Sequence, residues 1–138
     1  MTNPPSPTLR QIEALTSFLP RLYGEGFSPI ERWDGGEKRA DGSITMPYPR
    51  YNPVVEEFYR LVSSDGWLDY QYDPNGAARM LEDEQGIKTA SLDQIKTMLT
   101  FCVRGERFSD GHRGEMIEKG HIRRLLLRLE AIKLEQGR

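Results

Sequence analysis

The sequence predicts a mainly α-helical fold, a single compact domain of five or six helices with a small irregular or β-hairpin excursion at about residues 24–51. Three observations support this prediction. Helix-start signals precede apolar residues at helical spacing along most of the chain. Glycines and prolines crowd the excursion and exclude a long helix there. A chain of 138 residues is long enough for one hydrophobic core, so we expect one domain over residues 1–138.

The N-terminal segment predicts a lead-in followed by one helix. Residues 1–7 hold three prolines and no apolar periodicity, so we expect them to be frayed. Thr8 is a typical N-cap residue, and Pro20 is expected to end the helix that begins after Thr8. The apolar stripe of this helix consists of Leu9, Ile12, Leu15 and Leu19.

Within the excursion, two short segments predict paired strands. Residues 30–33 and 43–46 are expected to form a hairpin around the glycine-containing loop between them. A two-stranded sheet is marginally stable unless another element covers one face. Residues 46–51 alternate prolines with tyrosines. We expect this stiff segment to strap the hairpin over the next helix with its tyrosine hydroxyls in solvent, the alternative being that it lines a groove.

The rest of the chain predicts helices. An N-cap residue precedes a proline at positions 52–53 and again at 73–74. Ser91 and Gln94 form a capping box ahead of a helix that becomes apolar on all sides near its end. This pattern predicts the central helix of the fold, with Gly105 as its C′ residue. A last amphipathic helix has the stripe Ile122, Leu125, Leu126, Leu129 and Ile132.

Composition limits the class of protein. The only cysteine, Cys102, cannot form an internal disulfide and lies in the apolar run 98–103. We therefore expect it to pack in the core of a protein from a reducing compartment, the cytoplasm. No apolar run reaches the roughly 18 residues of a membrane span, and no basic and apolar leader is recognisable. The sequence thus predicts no membrane partner.

Charge is unevenly distributed along the chain. The net charge is −2, but residues 104–138 carry nine Lys and Arg against six Asp and Glu. A basic C-terminal third favours an anionic partner, either an acidic protein or a phosphate-bearing ligand. The isoelectric point of about 5.7 lies far below the range typical of dedicated nucleic-acid-binding domains. We therefore do not expect nucleic acid to be the partner.

Residues 104–129 are the candidate site, since they contain both histidines and a dense set of charged side chains. Arginine donates paired hydrogen bonds that suit a carboxylate or a phosphate. For the arginines taken by themselves, however, a solvated face or internal ion pairing is the interpretation we favour over ligand binding. Arg124 and Arg128, for example, lie one turn apart and repel each other unless an anion lies between them. The residues expected to bind an acidic protein surface or a phosphate are Arg104, Arg107, His112, Arg113 and Arg123.

A second hypothesis is a small enzyme. Asp110 and His112 are weak candidates for an acid–base pair, with or without a metal. We favour the interpretation that Asp110 is the N-cap of a short helix ending at Gly120. His112 and His121 lack a third ligand at a recognised spacing, so the sequence predicts neither a metal site nor a cofactor.

The neighbours of Arg107 suggest how it is held. Glu106 and Asp110 flank it at short distances along the chain, and Phe108 follows it directly. We expect the Arg107 guanidinium to be pinned by these carboxylates, with the Phe108 ring inserted in the core.

Two parts of the chain resemble a known family. The first is Met46-Pro47-Tyr48 leading to Val55 and Phe58, and the second is RGERFSDGH at residues 104–112, followed by Gly120 and the leucine-rich segment 125–129. Together, over about residues 46–130, they resemble a family of small bacterial and archaeal proteins known only as a domain of unknown function. That family has no established activity, so the resemblance implies no substrate or catalytic residue. It does imply that the arginine-rich corner is a family trait.

Overall fold

The computed structural model describes residues 5–64 and 66–136. This part of the chain is mainly α-helical with a small two-stranded antiparallel sheet, which confirms the predicted fold class. Six of its helices have seven residues or more, and two further helical segments are single turns. In chain order the elements are α1 (Leu9–Thr16), α2 (Leu19–Leu22), β1 (Ile30–Asp34), β2 (Tyr48–Tyr51), α3 (Pro53–Val62), α4 (Pro74–Glu82), α5 (Glu84–Ile87), α6 (Leu92–Arg104), a 3₁₀ turn (Gly105–Arg107), α7 (His112–Glu118) and α8 (His121–Gln136).

The predicted helix starts are confirmed by their hydrogen bonds. Thr8 and Ser91 each form a capping box, in which the side chain accepts an N–H of the first turn and a glutamine three residues later accepts the N–H of the cap. Asn52 and Asp73 cap α3 and α4, and each is followed by a proline in the first turn. Local sequence therefore determines where these helices begin.

One cluster of buried apolar side chains draws on every helix of seven residues or more. The central position predicted for α6 is confirmed, since seven of its thirteen residues are buried. Cys102 is among them and is fully buried, as expected of a core thiol. Burial strongly raises the pKa of this thiol, which therefore remains protonated and serves as an apolar packing group.

The first helix ends earlier than expected. Pro20 was expected to end it, but α1 ends at Thr16 and Pro20 lies in the first turn of α2. Proline is well tolerated there because a first-turn N–H has no partner within its own helix. Residues 5–7 have no regular structure, and the remaining part of the predicted lead-in, residues 1–4, lies outside the described residues.

The hairpin has a different register from the predicted one. Strand β1 pairs with β2 instead of with residues 43–46, and the aligned pairs include Ile30 with Tyr51. Residues 43–46 belong to the connecting loop, where Ile44 and Met46 are 65% and 77% exposed. The observed register instead pairs Tyr51 with Ile30 and partly buries the Tyr51 side chain against the core, a contact that the predicted register does not include. Four of the six residues of the proline- and tyrosine-rich segment 46–51 thus form strand β2.

Helix α7 covers one face of the hairpin. A Cβ atom on Gly114 would lie 3.0 Å from Cγ1 of Ile30 and 3.1 Å from Cε1 of Tyr51, and one on Gly111 would lie 3.0 Å from Cη2 of Trp33. The two glycines therefore let the helix backbone approach the strands closely. This contact supplies the cover that a two-stranded sheet requires.

The burial of α6 leads to a test of the packing. Leu99 has no exposed surface, so Leu99→Ala should lower the free energy of unfolding by about 2–5 kcal/mol through lost burial and a new cavity. Leu134→Ala is the matched control because Leu134 is 65% exposed, and it should change the same quantity by less than about 0.5 kcal/mol. Urea denaturation measures both. A loss below about 1 kcal/mol for Leu99→Ala would contradict the central position of α6.

Candidate functional site

The predicted basic corner is organised by the carboxylate of Glu106. Its Oε2 accepts the N–H of Gly111 at 2.8 Å, and its Oε1 accepts the N–H of Arg113 at 2.9 Å. Oε1 also accepts the hydroxyl of Tyr51 at 2.7 Å. Glu106 therefore satisfies backbone donors at the start of α7 and attaches strand β2 to the same point.

The prediction that Asp110 caps α7 is wrong. The N-cap residue is Gly111, which has a φ of 91° and, having no side chain, cannot itself accept an N–H of the first turn. This left-handed conformation, which glycine adopts without strain, turns the chain so that the first N–H groups of α7 face Glu106. Asp110 is exposed to solvent.

Three tyrosine hydroxyls hold α7 in place. Tyr51 accepts the N–H of Gly114 at 3.3 Å, and Tyr59 donates to the carbonyl of Arg113 at 2.9 Å. Tyr23 donates to the carbonyl at the end of α7 and accepts an N–H in the first turn of α8, both at 2.9 Å. Burial raises the pKa of all three hydroxyls, so they remain hydrogen-bond donors. The expectation that the Tyr51 hydroxyl faces solvent is therefore wrong.

Three residues of the predicted binding set line a single cavity of about 470 Å³. They are Arg104 at the end of α6, Arg107 in the 3₁₀ turn and Arg113 in the first turn of α7. We call this cavity the arginine pocket. Its remaining wall consists of Ser63, Leu68, Val103 and Glu106.

Two of these arginines are held by aromatic rings. The guanidinium carbon of Arg104 lies 5.9 Å and 5.5 Å from the ring centres of Tyr70 and Tyr72. That of Arg113 lies 5.3 Å from the ring centre of Tyr59. Cation–π contacts at these distances stabilise a guanidinium without neutralising its charge.

The arginines of the arginine pocket outnumber the single carboxylate in its wall, that of Glu106. None of the three arginines forms an ion pair with a carboxylate of residues 5–64 or 66–136. Glu106 lies in the wall, but both of its oxygens accept hydrogen bonds from other groups. The Nε of Arg113 donates only to the backbone carbonyl of Val103, at 3.1 Å.

His112 lies behind the pocket and does not line it. Its side chain is buried, with Nε2 3.2 Å from the carbonyl oxygen of Phe101 and the ring edge-to-face with the Phe101 ring. Gly105 was expected to be the C′ residue of α6, but it is the C-cap, with a right-handed φ of −62°. A Cβ atom on Gly105 would overlap the imidazole of His112. Glycine is therefore required there for space rather than for backbone conformation.

The predicted environment of Arg107 is wrong. Phe108 is 86% exposed instead of inserted in the core, and Arg107 is also exposed. The carboxylate of Glu106, expected to pin Arg107, instead accepts donors from α7 and β2, which offer it three hydrogen bonds. Arg107 is thus the most accessible guanidinium of the pocket.

Arg123 and His121 lie outside the arginine pocket. Arg123 follows the turn at Gly120, where a φ of 81° ends α7 as predicted and redirects the chain into α8. Within the described ranges, no group of three or more His, Cys, Asp or Glu side chains is placed to hold a metal ion.

His121 belongs to a different cluster, beside α4 and α5. Its Nδ1 lies 2.8 Å from Nη2 of Arg124, and its Nε2 lies 3.8 Å from a carboxylate oxygen of Glu82. Burial and the Arg124 charge lower the pKa of His121, while Glu82 opposes the shift. Burial prevails because the side chain of His121 is 7% exposed and that of Glu82 is 77% exposed, so solvent screens the carboxylate.

A comparison with protein families matches residues 7–135 to one described as "Family of unknown function (DUF6508)". The chain belongs to this family. The match confirms the resemblance seen in the sequence and extends it, since the resemblance began only at about residue 46. No curated protein and no solved structure matches the chain. In the parts of this family member that the structure describes, no helix is long and apolar enough to cross a membrane.

Sequence reasoning missed the residue that organises the corner. Glu106 was considered only as a partner of Arg107, and the three tyrosines that hold α7 were not singled out for this role. The partners Tyr51 and Tyr59 lie 55 and 54 positions away from the groups they bind. A chain read one segment at a time gives no signal for such contacts.

The role of Glu106 can be tested by removing its charge. In Glu106→Gln an amide NH₂ replaces one acceptor oxygen and faces a donor, so at least one partly buried donor loses its partner. The free energy of unfolding should fall by about 1–3 kcal/mol. Glu118→Gln makes the same change in charge at an exposed position of α7 and should have little effect. Equal stability of the two variants in urea denaturation would show that Glu106 does not hold the corner.

The lowered pKa of His121 predicts a pH dependence of stability. Near pH 7.5 the imidazole is neutral in both states, but below about pH 6.5 the unfolded chain binds the proton before the folded protein does. The free energy of unfolding should therefore decrease as the pH falls from about 6.5 towards the folded-state pKa. His121→Gln cannot titrate and should lose this part of the pH dependence. Urea denaturation across this range gives the dependence of the free energy of unfolding on pH for both proteins. Identical dependences would contradict the prediction.

Proposed function

We propose that the arginine pocket binds a phosphate-bearing ligand and that the protein acts as a non-catalytic binding or regulatory module. One observation carries the proposal: the side chains of Arg104, Arg107 and Arg113 line one cavity, and none pairs with a described carboxylate. Like charges collected in one concave site repel each other, and an anion bound there relieves that repulsion.

The chemistry of the side chains favours phosphate. A guanidinium offers forked N–H donors that match phosphate oxygens, and a phosphate carries more charge than a single carboxylate. The cavity, at about 470 Å³, lies within the usual range of small-molecule sites, roughly 300–1,000 Å³. A concave site of this kind suits a ligand that enters it better than a flat acidic protein surface.

The pocket is also partly preorganised. The tyrosine rings position Arg104 and Arg113 before a ligand arrives, so less conformational entropy is lost on binding. Arg107 is exposed at the rim and is available to contact the ligand from the solvent side.

The alternative of an enzyme using Asp110 and His112 gains no support from the geometry. Asp110 is exposed, whereas His112 is buried with its Nε2 at the carbonyl of Phe101. No ion pair joins the two side chains in the part of the chain that the structure describes. We therefore keep His112 and Arg123 out of the proposed site, although the sequence suggested both.

We also infer one domain and a cytoplasmic location. The hydrophobic cluster that draws on α1 through α8 and the family match over residues 7–135 support a single domain. The buried, unpaired thiol of Cys102 supports a reducing compartment.

The test is a titration with inorganic phosphate and pyrophosphate, followed by NMR at low and high ionic strength. Resonances of residues 104–113 should shift at low salt, and the affinity should fall as salt is added. Arg107→Gln should weaken binding about tenfold, as expected for the loss of a charge-assisted hydrogen bond. Arg123→Gln is the matched control, because it removes the same charge from an exposed residue outside the pocket.

Three outcomes would overturn the proposal. They are the absence of shifts at millimolar phosphate, shifts confined to other regions, and equal losses of affinity in the two arginine variants. Binding of a short oligoglutamate peptide at residues 104–113 without any binding of phosphate would assign the pocket to an acidic protein partner.

A further inference from the structure

A second concave site lies between α5 and α8, on residues that the arginine pocket does not use. It encloses about 300 Å³. Ile87, Leu127 and Ala131 form an apolar wall, and Leu127 is 47% exposed although it is a large aliphatic side chain. The polar part of the lining consists of three cationic side chains, those of Lys88, Arg124 and Arg128, together with Glu84 and Gln85, so the cations outnumber the single carboxylate. We call it the α5–α8 groove.

The arginines of this groove are less exposed than the carboxylates that face them. Arg124 lies 3.4 Å from Glu84, with side chains that are 26% and 63% exposed. Arg128 lies 3.6 Å from Glu135, with side chains that are 16% and 65% exposed. Long ion pairs to solvent-exposed carboxylates are weak. The positive charge of the groove is therefore only partly compensated within the protein.

Both guanidinium groups are fixed by other contacts. Nη2 of Arg124 lies 2.8 Å from Nδ1 of His121, which is buried. Nε of Arg128 donates to the carbonyl of Ala90 at 2.9 Å. Nε of Arg124 is buried and has no hydrogen-bond partner among residues 5–64 and 66–136, and an unsatisfied buried donor costs free energy. The groove thus presents positioned cations beside an apolar wall.

We propose that the α5–α8 groove binds a small carboxylate with an apolar body, such as a medium-chain fatty acid. The carboxylate meets the arginines and Lys88, while the apolar body covers Leu127 and Ala131. A neutral apolar molecule leaves the cations uncompensated, and a small inorganic anion leaves the apolar wall in water. The volume corresponds to roughly ten water molecules, which suits an eight-carbon chain. This proposal does not depend on the function proposed for the arginine pocket.

The probe is octanoate, compared with 1-octanol and with acetate. Octanoate should shift the NMR resonances of α5 and of α8 around Leu127 and Ala131 in a saturable manner. It should bind at least about tenfold more tightly than either comparison molecule, since each of these retains only one of its two recognition elements. Equal affinity for octanoate and 1-octanol would show that the cations do not contribute to binding. Equal affinity for octanoate and acetate would show that the apolar wall does not contribute. Either result would overturn the proposal.

Two pairs of variants locate the binding site. Leu127→Gln should weaken octanoate binding about fivefold or more, whereas Leu134→Gln, on the same helix but outside the groove, should not. Lys88→Gln should weaken it about threefold, whereas Lys38→Gln, an exposed lysine of the hairpin loop, should not. Equal effects within either pair would overturn the proposal. Another contradicting result would be that the NMR resonances of Leu127 shift with protein concentration but do not respond to octanoate. That result would assign the groove to a second copy of the chain.

Discussion

The arrangement around α7 depends on the three hydrogen bonds that the carboxylate of Glu106 accepts. A seven-residue helix is too short to be stable by itself, and its first N–H groups need acceptors from outside the helix. Glu106 supplies them and also accepts the Tyr51 hydroxyl, so one side chain joins the 3₁₀ turn, the helix and the hairpin. Tyr23 and Tyr59 then fix the other positions of α7. Because both oxygens of Glu106 accept hydrogen bonds from these donors, Glu106 forms no direct ion pair with the pocket arginines in the part of the chain that the structure describes.

The arginines of the hairpin and those of the arginine pocket differ in the groups that hold their side chains. On the hairpin, Arg32 and Arg50 both pair with Asp34, and the side chains of these arginines are more than half exposed. Such pairs contribute little to stability and leave no site for a ligand. In the arginine pocket, aromatic rings hold Arg104 and Arg113 and a backbone carbonyl also binds Arg113, and no ion pair to a carboxylate of residues 5–64 or 66–136 involves the pocket arginines. The α5–α8 groove lies between these extremes, with loose ion pairs to exposed carboxylates.

The features that the sequence predicts well are those set by neighbouring residues. The capping boxes at Thr8 and Ser91 depend on groups three positions apart, and the turn at Gly120 depends on one residue. The burial of Leu99 follows from helical periodicity, which local spacing also reveals. The register of the hairpin and the role of Glu106 depend on contacts between distant segments, for which a single sequence carries no equivalent signal. The same reason separates Arg123 from Arg104, Arg107 and Arg113, which were expected to share one site.

The contact between the hairpin and α7 makes the stability of each element depend on the other. Tyr51 meets Glu106 and Gly114, which lie 55 and 63 positions further along the chain. Closing a loop of that length has an entropic cost that must be met before the contact contributes any stability. Neither a two-stranded ribbon nor a helix of seven residues is stable alone. The hairpin and α7 therefore stabilise each other through contacts between distant parts of the chain, and each depends on the other for its place on the core.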